Sequence, residues 1–273
     1  MSAPATDPPP AALPRLKPPR FGAVRTITAL MLREMATTYG ASPGGYVWAI
    51  LQPIGMLIIL SFAFSLVMRS PSLGTSFILF YATGYMPYVL YVEIASKTGA
   101  SLNYARALLA YPSVTWADAV LARFFLNTIT NATVFIIVMT GILWFEESRT
   151  VLNPVPVVTA VAMAALLGLG VGLCNAIIGG LFPVWTNVWR IVTRPLFLAS
   201  AVIYIYEDLP PLAQDVLWFN PIVHVTGWSR TGFFPTYEAS YVSLTYGFGL
   251  ALVLIFLGLV FMRAHYTTVL EQR

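Results

Sequence analysis

Tyr241-Val-Ser-Leu-Thr-Tyr-Gly-Phe-Gly-Leu-Ala-Leu-Val-Leu-Ile-Phe-Leu-Gly-Leu-Val-Phe-Met262 contains no charged side chain. It meets the requirement of about 20 consecutive apolar residues for a helix to cross a hydrocarbon core about 30 Å thick. Lipid offers the backbone no water, so a stretch this apolar must close its own hydrogen bonds as a helix. Working back along the chain, comparable runs occupy about residues 46–68, 77–96, 117–145, 154–182 and 188–206. The run at 117–145 is long enough to tilt or to start below the hydrocarbon. The run at 188–206 is the weakest, because Arg190, Arg194 and Pro195 interrupt its start. The expected fold is an all-α integral membrane protein with six transmembrane helices.

Composition agrees with that reading. The 273 residues are 58% hydrophobic and 10% charged, with a mean hydropathy of +0.76. A soluble domain carries roughly 25% charged residues, so a water-facing surface cannot be built from this chain. The length suits one membrane domain and leaves no room for an additional soluble catalytic domain. Cys174 is the only cysteine and lies in an apolar stretch, which excludes a disulfide framework or a cysteine metal site. Residues 1–20 hold Pro8, Pro9, Pro10, Pro14, Pro18 and Pro19 and no apolar core of a secretory signal. They read as a disordered, Pro-rich cytoplasmic tail. Residues 21–273 form the membrane domain, opening with an interfacial amphipathic helix over about 21–40. There Val24, Ile27, Met31 and Met35 share a narrow arc with Arg33 opposite, and Arg25, Arg33 and Glu34 make the segment too polar to cross.

Lys and Arg in short loops set the orientation. With the N-terminus inside, the inner side holds Arg15, Lys17, Arg20, Arg25, Arg33, Lys97, Arg106, Arg190, Arg194, Arg263 and Arg273, with Arg123 near the inner end of the third span. The outside keeps Arg69, Arg149 and Arg230 beside Glu146, Glu147, Glu207, Asp208, Asp215 and Glu238. Six spans place both termini in the cytoplasm. Residues 207–240 carry Trp218, Phe219, Trp228, Phe233 and Phe234 between prolines, which fits short re-entrant or interfacial helices before the last span. A loop folded over the bundle is the alternative.

The chain has no Gly-x-x-x-x-Gly-Lys-Ser/Thr phosphate loop, so it does not bind ATP by that route. Its two histidines, His224 and His265, are too few for a histidine-cluster metal centre. Glu93 is the one acid well inside a span, too few for an ion-coupled pump. Energy for transport must then come from elsewhere. Between the second and third runs, Leu102, Ala105, Leu108 and Leu109 make a short apolar face ended by Tyr111-Pro112. Thr115-x-x-Asp118 then starts the next helix as a capping box. Physics alone allows two readings of this loop: a plain helical turn at the interface, or an element that presses on a separate motor subunit.

The order of parts resembles the membrane subunit of type 2 ABC exporters. More narrowly, Arg106-Ala-Leu-Leu-Ala-Tyr-Pro-Ser-Val-Thr-Trp-Ala-Asp118 followed by Ala122-Arg123-Phe124 is similar to the run linking spans two and three in capsular polysaccharide exporter permeases. Phe219-Asn-Pro221 and Arg230-Thr-Gly-Phe-Phe234 match their pattern before the last span. The layout covers the chain from about residue 21 onward. The resemblance implies a homodimer, bound to two copies of a separate ABC ATPase that holds ATP and Mg, with no cofactor on this chain. It also implies a lipid-linked polysaccharide as cargo, a periplasmic adaptor or co-polymerase as a further partner, and the bacterial inner membrane as the location. Nucleic acid is not an expected partner. The residues expected to dock the ATPase are Arg33, Leu102, Arg106, Leu108, Leu109 and Pro112.

Trp48 and Gln52 share a face of the first run, and Tyr81, Tyr85, Tyr88 and Tyr91 recur at helical spacing on the second. Rings of this kind stack on sugars, and they also anchor helices at the lipid boundary. Trp48, Gln52, Tyr85, Tyr88, Tyr204 and Tyr206 are the candidate substrate pathway. Arg190 and Arg194 are candidates to capture a phosphate or acidic substrate, with topology and headgroup binding as the simpler role. Asn127 and Asn131 read as interhelical hydrogen-bonding groups, and Gly168 with Gly172 as a close-packing face. Two functions remain: an exporter permease for a surface polysaccharide (capsule first, with O-antigen, teichoic acid or small molecules behind), or a membrane transferase acting on lipid-linked sugars. The second needs convergent acid and base groups, for which Glu207, Asp208 and Asp215 are the candidates.

Overall fold

The computed structural model describes residues 22–38, 44–111, 114–146 and 152–271. Residues 1–20 and Pro112 lie outside that set.

Helix ends follow the punctuation of the sequence. α1 covers Gly22–Thr38. α2 (Gly45–Ser65) starts after Gly44, whose φ of 76° is the left-handed conformation that glycine adopts freely. α3 (Phe77–Gly99) is capped by the Ser76 hydroxyl, which accepts from the Leu79 N–H at 3.2 Å. A short α4 (Ser101–Ala105) follows. α5 (Trp116–Phe145) opens with the expected capping box: the Thr115 hydroxyl accepts from the Asp118 N–H, and the Asp118 carboxylate accepts from the Thr115 N–H at 2.9 Å. α6 (Pro154–Leu181) and α9 (Pro221–Phe233) each begin with an Asn cap followed by proline, which needs no N–H there. Between them lie α7 (Trp185–Ala199), one 3₁₀ turn (Tyr206–Asp208) and α8 (Pro211–Leu217). α10 covers Leu244–Glu271.

Among the described residues, α2, α3, α5, α6 and α10 are long and apolar enough to cross a membrane. The expected fifth span is different. α7 has 15 residues, about 22 Å at 1.5 Å each, short of a core about 30 Å thick. The helix stops where Ala201 takes a positive φ of 52°. The rest of that passage is broken chain: a turn, the 3₁₀ turn, α8 and the buried α9. Short helices thus precede the last span, as expected, and α9 is embedded between α3 and α6 rather than draped over the bundle. The last helix also starts later and runs further than residues 241–262.

α6 is the hub, packed on α3 and α10. Small residues make this possible. A Cβ on Gly172 would meet Thr98 Cβ at 2.6 Å, and one on Gly168 would meet Ile94 Cβ and the Tyr91 carbonyl at 2.9 Å. Gly170, between them, faces α10 instead, where a Cβ would lie 2.7 Å from Leu254 Cβ. Close packing of this kind replaces the hydrophobic drive that lipid cannot supply.

The two ends of the bundle can be told apart by contacts. At one end α1 meets α5, and the Arg106 guanidinium donates to the Leu270 carbonyl near the end of α10. At the other end the Ser76 hydroxyl donates to Glu146, and the Asn153 N–H donates to the Gly232 carbonyl. α1 and the last turn of α10 therefore sit at the same end. Asn127 and Asn131 depart from expectation: each donates to the carbonyl four residues back, Arg123 and Asn127, within α5 itself. An amide in an apolar helix finds its own backbone before a neighbour's.

Candidate functional site

Two cavities flank α3. The first, about 350 Å³, lies between α2, α3 and α5. Trp48 and Gln52 enter it from successive turns of α2, and Tyr85, Val89, Glu93 and Lys97 from successive turns of α3. Thr130 and Asn131 enter from α5. The lining combines ring faces, amides and a hydroxyl with one carboxylate and one ammonium, so its fixed charge balances. Such walls suit a polyhydroxylated ligand, with rings against its C–H faces and polar groups replacing lost water.

The second cavity, about 330 Å³, lies between α3, α6 and α7. Its walls include Ser96, Asn103, Asn175, Trp185, Trp189 and Arg190. Trp185 and Trp189 stack with centroids 6.3 Å apart, and the Trp185 indole N–H donates to Asn175 Oδ1 at 2.9 Å. Arg190 is the one charged residue in its wall; both Arg190 and Arg194 are exposed on α7, and Arg194 does not line the cavity.

Three of the pathway candidates, Trp48, Gln52 and Tyr85, come together in the first cavity. The other three do not join them. Tyr88 packs its ring edge-on to Phe197 and donates to the Thr193 carbonyl at 3.3 Å, tying α3 to α7. Tyr204 donates to the Leu198 carbonyl at 2.8 Å and closes the turn after α7. Tyr206 is buried, stacks on Tyr241 at 4.0 Å and donates to the Gln214 carbonyl.

The docking candidates divide in the same way. Leu102 is 2% exposed and packs on Val120 and Leu173, so its surface is spent inside this chain. Leu108 and Leu109 are half-buried, and Arg106 and Tyr111 are exposed beside them. The guanidinium of Arg33 lies over the Tyr104 ring, 5.7 Å from its centroid.

Two features of this molecule were not visible in the sequence. The first is a buried ion pair: Arg123 Nε to Glu34 Oε1, 2.9 Å, linking α5 to α1. Arg123 also donates to the Lys97 carbonyl at 2.9 Å and lies 4.2 Å from the Tyr104 centroid. The Tyr104 and Thr37 hydroxyls are hydrogen-bonded to each other. One guanidinium thus joins α1, α3, α4 and α5. The second is Arg230, expected on the outer surface but 0% exposed inside α9. It donates to the carbonyls of Tyr204 (2.7 Å) and Val202 (2.8 Å) and sits 4.5 Å from the Phe80 centroid. It holds the broken segment after α7 against α3. An arginine among aromatic residues was the available signal, read there as topology.

The transferase alternative finds no support in this geometry. Glu207 accepts from the Tyr237 hydroxyl at 3.0 Å, and Glu207 and Asp208 sit in a 3₁₀ turn. Among the described residues no group of three His, Cys, Asp or Glu side chains is placed to hold a metal ion.

Comparison with known proteins agrees with the architecture. Residues 25–234 match the family of ABC-2 type transporters. The chain is similar to the polysialic acid transport protein KpsM of Escherichia coli, 31% identical over 87% of this chain and 92% of that protein. It is also similar to the capsule polysaccharide export inner-membrane protein CtrC of Neisseria meningitidis, 26% identical over 86% of this chain and 89% of that one. BexB of Haemophilus influenzae, of the same description, is 25% identical over 88% and 90%. A matched region covering most of the helical bundle, with similarity running nearly end to end, makes this chain a membrane subunit of the ABC-2 type transporter family.

Proposed function

We propose that this chain is the inner-membrane permease through which an ABC exporter passes a capsular polysaccharide. The observation that carries the proposal is the first cavity, whose Trp48, Gln52, Tyr85 and Asn131 offer ring faces and amides to a sugar chain. Relatives that resemble this chain along nearly its whole length carry capsule export in their names. Family membership implies an ABC ATPase as partner, and a transport role rather than catalysis for this chain. In the proposed assembly two copies of the permease pair, each bound to one ATPase subunit that holds ATP and Mg. The glycan, lipid-linked, moves between the copies toward a periplasmic adaptor. Both chain ends face the cytoplasm, a reading supported by the excess of Lys and Arg at the α1 end.

The coupling face is the α1 end of the bundle. Arg106, Leu108, Leu109 and Tyr111 present themselves to the ATPase, while Arg33 and the Glu34–Arg123 pair tie α1 to the same region. Displacement of that loop by the motor then reaches α1, α3 and α5 together through Arg123.

The test is reconstitution of the permease with its ABC ATPase in proteoliposomes, following labelled lipid-linked glycan. Transport should require ATP and both proteins. Trp48→Ala with Tyr85→Ala should lower glycan moved per ATP while ATPase activity persists. Glycan movement driven by an ion gradient without nucleotide, or unaltered movement in the double variant, would refute the proposal.

A further inference from the structure

Charge separates the two cavities. The first carries Glu93 with Lys97, so an anion entering it meets a carboxylate as well as an ammonium. The second carries Arg190 alone, and that guanidinium makes no hydrogen bond or ion pair among the described residues. Its wall also holds a donor without a partner. Asn175 spends its carbonyl oxygen on Trp185, while its Nδ2 is buried with no acceptor. A buried amide N–H left unpaired forfeits its hydrogen bond to water, so it marks a place where an acceptor is wanted. An exposed arginine and, behind it in the same wall, an unpaired buried amide, with no acid beside them, form a site for an oxyanion.

Position identifies the kind of oxyanion. The cavity opens beside the last turns of α3 and α6 and the first turn of α7, where Ser96, Gly99, Asn175 and Trp185 meet. That is the end of the bundle that carries α1. Two stacked indoles line its wall, and tryptophan favours the depth at which lipid headgroups meet acyl chains. The volume, about 330 Å³, falls at the lower end of small-ligand sites, about 300–1,000 Å³.

We infer that the cavity between α3, α6 and α7 binds the phosphate of a lipid headgroup from the leaflet at the α1 end, with Arg190 and Asn175 as donors and Trp185 and Trp189 flanking the glycerol region. The phosphate belongs either to a bulk membrane lipid or to the lipid end of the cargo. In the second case the inference rests on the export reading above, and the glycan and its lipid phosphate occupy different cavities on adjoining faces of α3. In the first case it stands without that reading.

Native mass spectrometry of the full-length chain in detergent, with its ATPase, tests the site. The probes are dioleoyl phosphatidylglycerol and dioleoylglycerol, the same chains without phosphate. Wild-type protein should retain phosphatidylglycerol and not dioleoylglycerol. Arg190→Gln should weaken phosphatidylglycerol retention about tenfold or more, the fold-change expected on losing one charge-assisted hydrogen bond. Arg190→Lys should recover part of it, and Lys97→Gln, in the first cavity, should leave it unchanged. Equal retention by wild type and Arg190→Gln, or equal retention of the two probes, overturns the inference. An export assay on Arg190→Gln then separates the sources. Lost retention with lost export assigns the site to the cargo's lipid, and lost retention with normal export assigns it to bulk lipid; both outcomes support a phosphate site.

Discussion

Replacing Arg123 with methionine should release α1 from the bundle. The guanidinium bonds Glu34 Oε1 at 2.9 Å and the Lys97 carbonyl at 2.9 Å, and the side chains of the pair are 9% and 4% exposed. Removing one partner of a buried pair leaves the other charge uncompensated, a loss of about 3–5 kcal/mol. That penalty falls on the attachment of α1, because Glu34 is the α1 residue that enters the interior. Hydrogen exchange reads local opening directly, so a loss of about 3 kcal/mol should speed exchange of α1 amides roughly a hundredfold. Glu34→Gln keeps an acceptor at the same position and should cost less, about 1–2 kcal/mol. Glu34→Leu with Arg123→Met removes both charges and should restore protection to within about 1–2 kcal/mol of wild type, the remainder being the Lys97 carbonyl left without its donor. If α1 exchange in Arg123→Met stays at the wild-type rate, the apolar face of α1 holds it and the ion pair does not. If the double variant is as exposed as Arg123→Met, buried charge is not the cause of the loss.

Gly172→Val inserts side-chain atoms where a Cβ would lie only 2.6 Å from Thr98 Cβ, so α3 and α6 must separate; a loss of about 1–3 kcal/mol should appear as a lower unfolding temperature in detergent. Arg230→Met removes the donors to the Val202 and Tyr204 carbonyls and should loosen the segment after α7, read as faster proteolysis within residues 200–210, with α1 exchange unaltered. Leu108→Asp with Leu109→Asp should reduce co-purification of the ABC ATPase at least tenfold while membrane insertion persists, because both side chains are half-buried at the α1 end and Arg106 and Tyr111 stand exposed beside them.

Much of the bundle was legible because it depends on local chemistry. Apolar runs of bilayer length, the Thr115–Asp118 box, Asn-Pro starts and glycines four apart each carry their meaning within a few residues. The candidate site was legible in part for the same reason. Trp48 and Gln52, one turn apart on α2, had to share a face, and Tyr85 on α3 completes the wall. What escaped depends on partners far along the chain. Arg123 and Glu34 are 89 residues apart, and Arg230 reaches carbonyls 26 and 28 residues away. Periodicity cannot rank such pairings. The α7 passage escaped for another reason: hydropathy averages over a window and does not register the break at Ala201, where the backbone and not the side chain changes direction.

Of the five glycines of α6, Gly168, Gly170 and Gly172 point alternately to two neighbours, and this has a mechanical consequence. Gly168 and Gly172 bring α3 into backbone contact, and Gly170 does the same for α10. Backbones that touch have no compliant side chains between them, so the three helices form one stiff unit. Any displacement passed to α3 through Arg123 would then carry α6 and α10 along with it rather than bend the three apart.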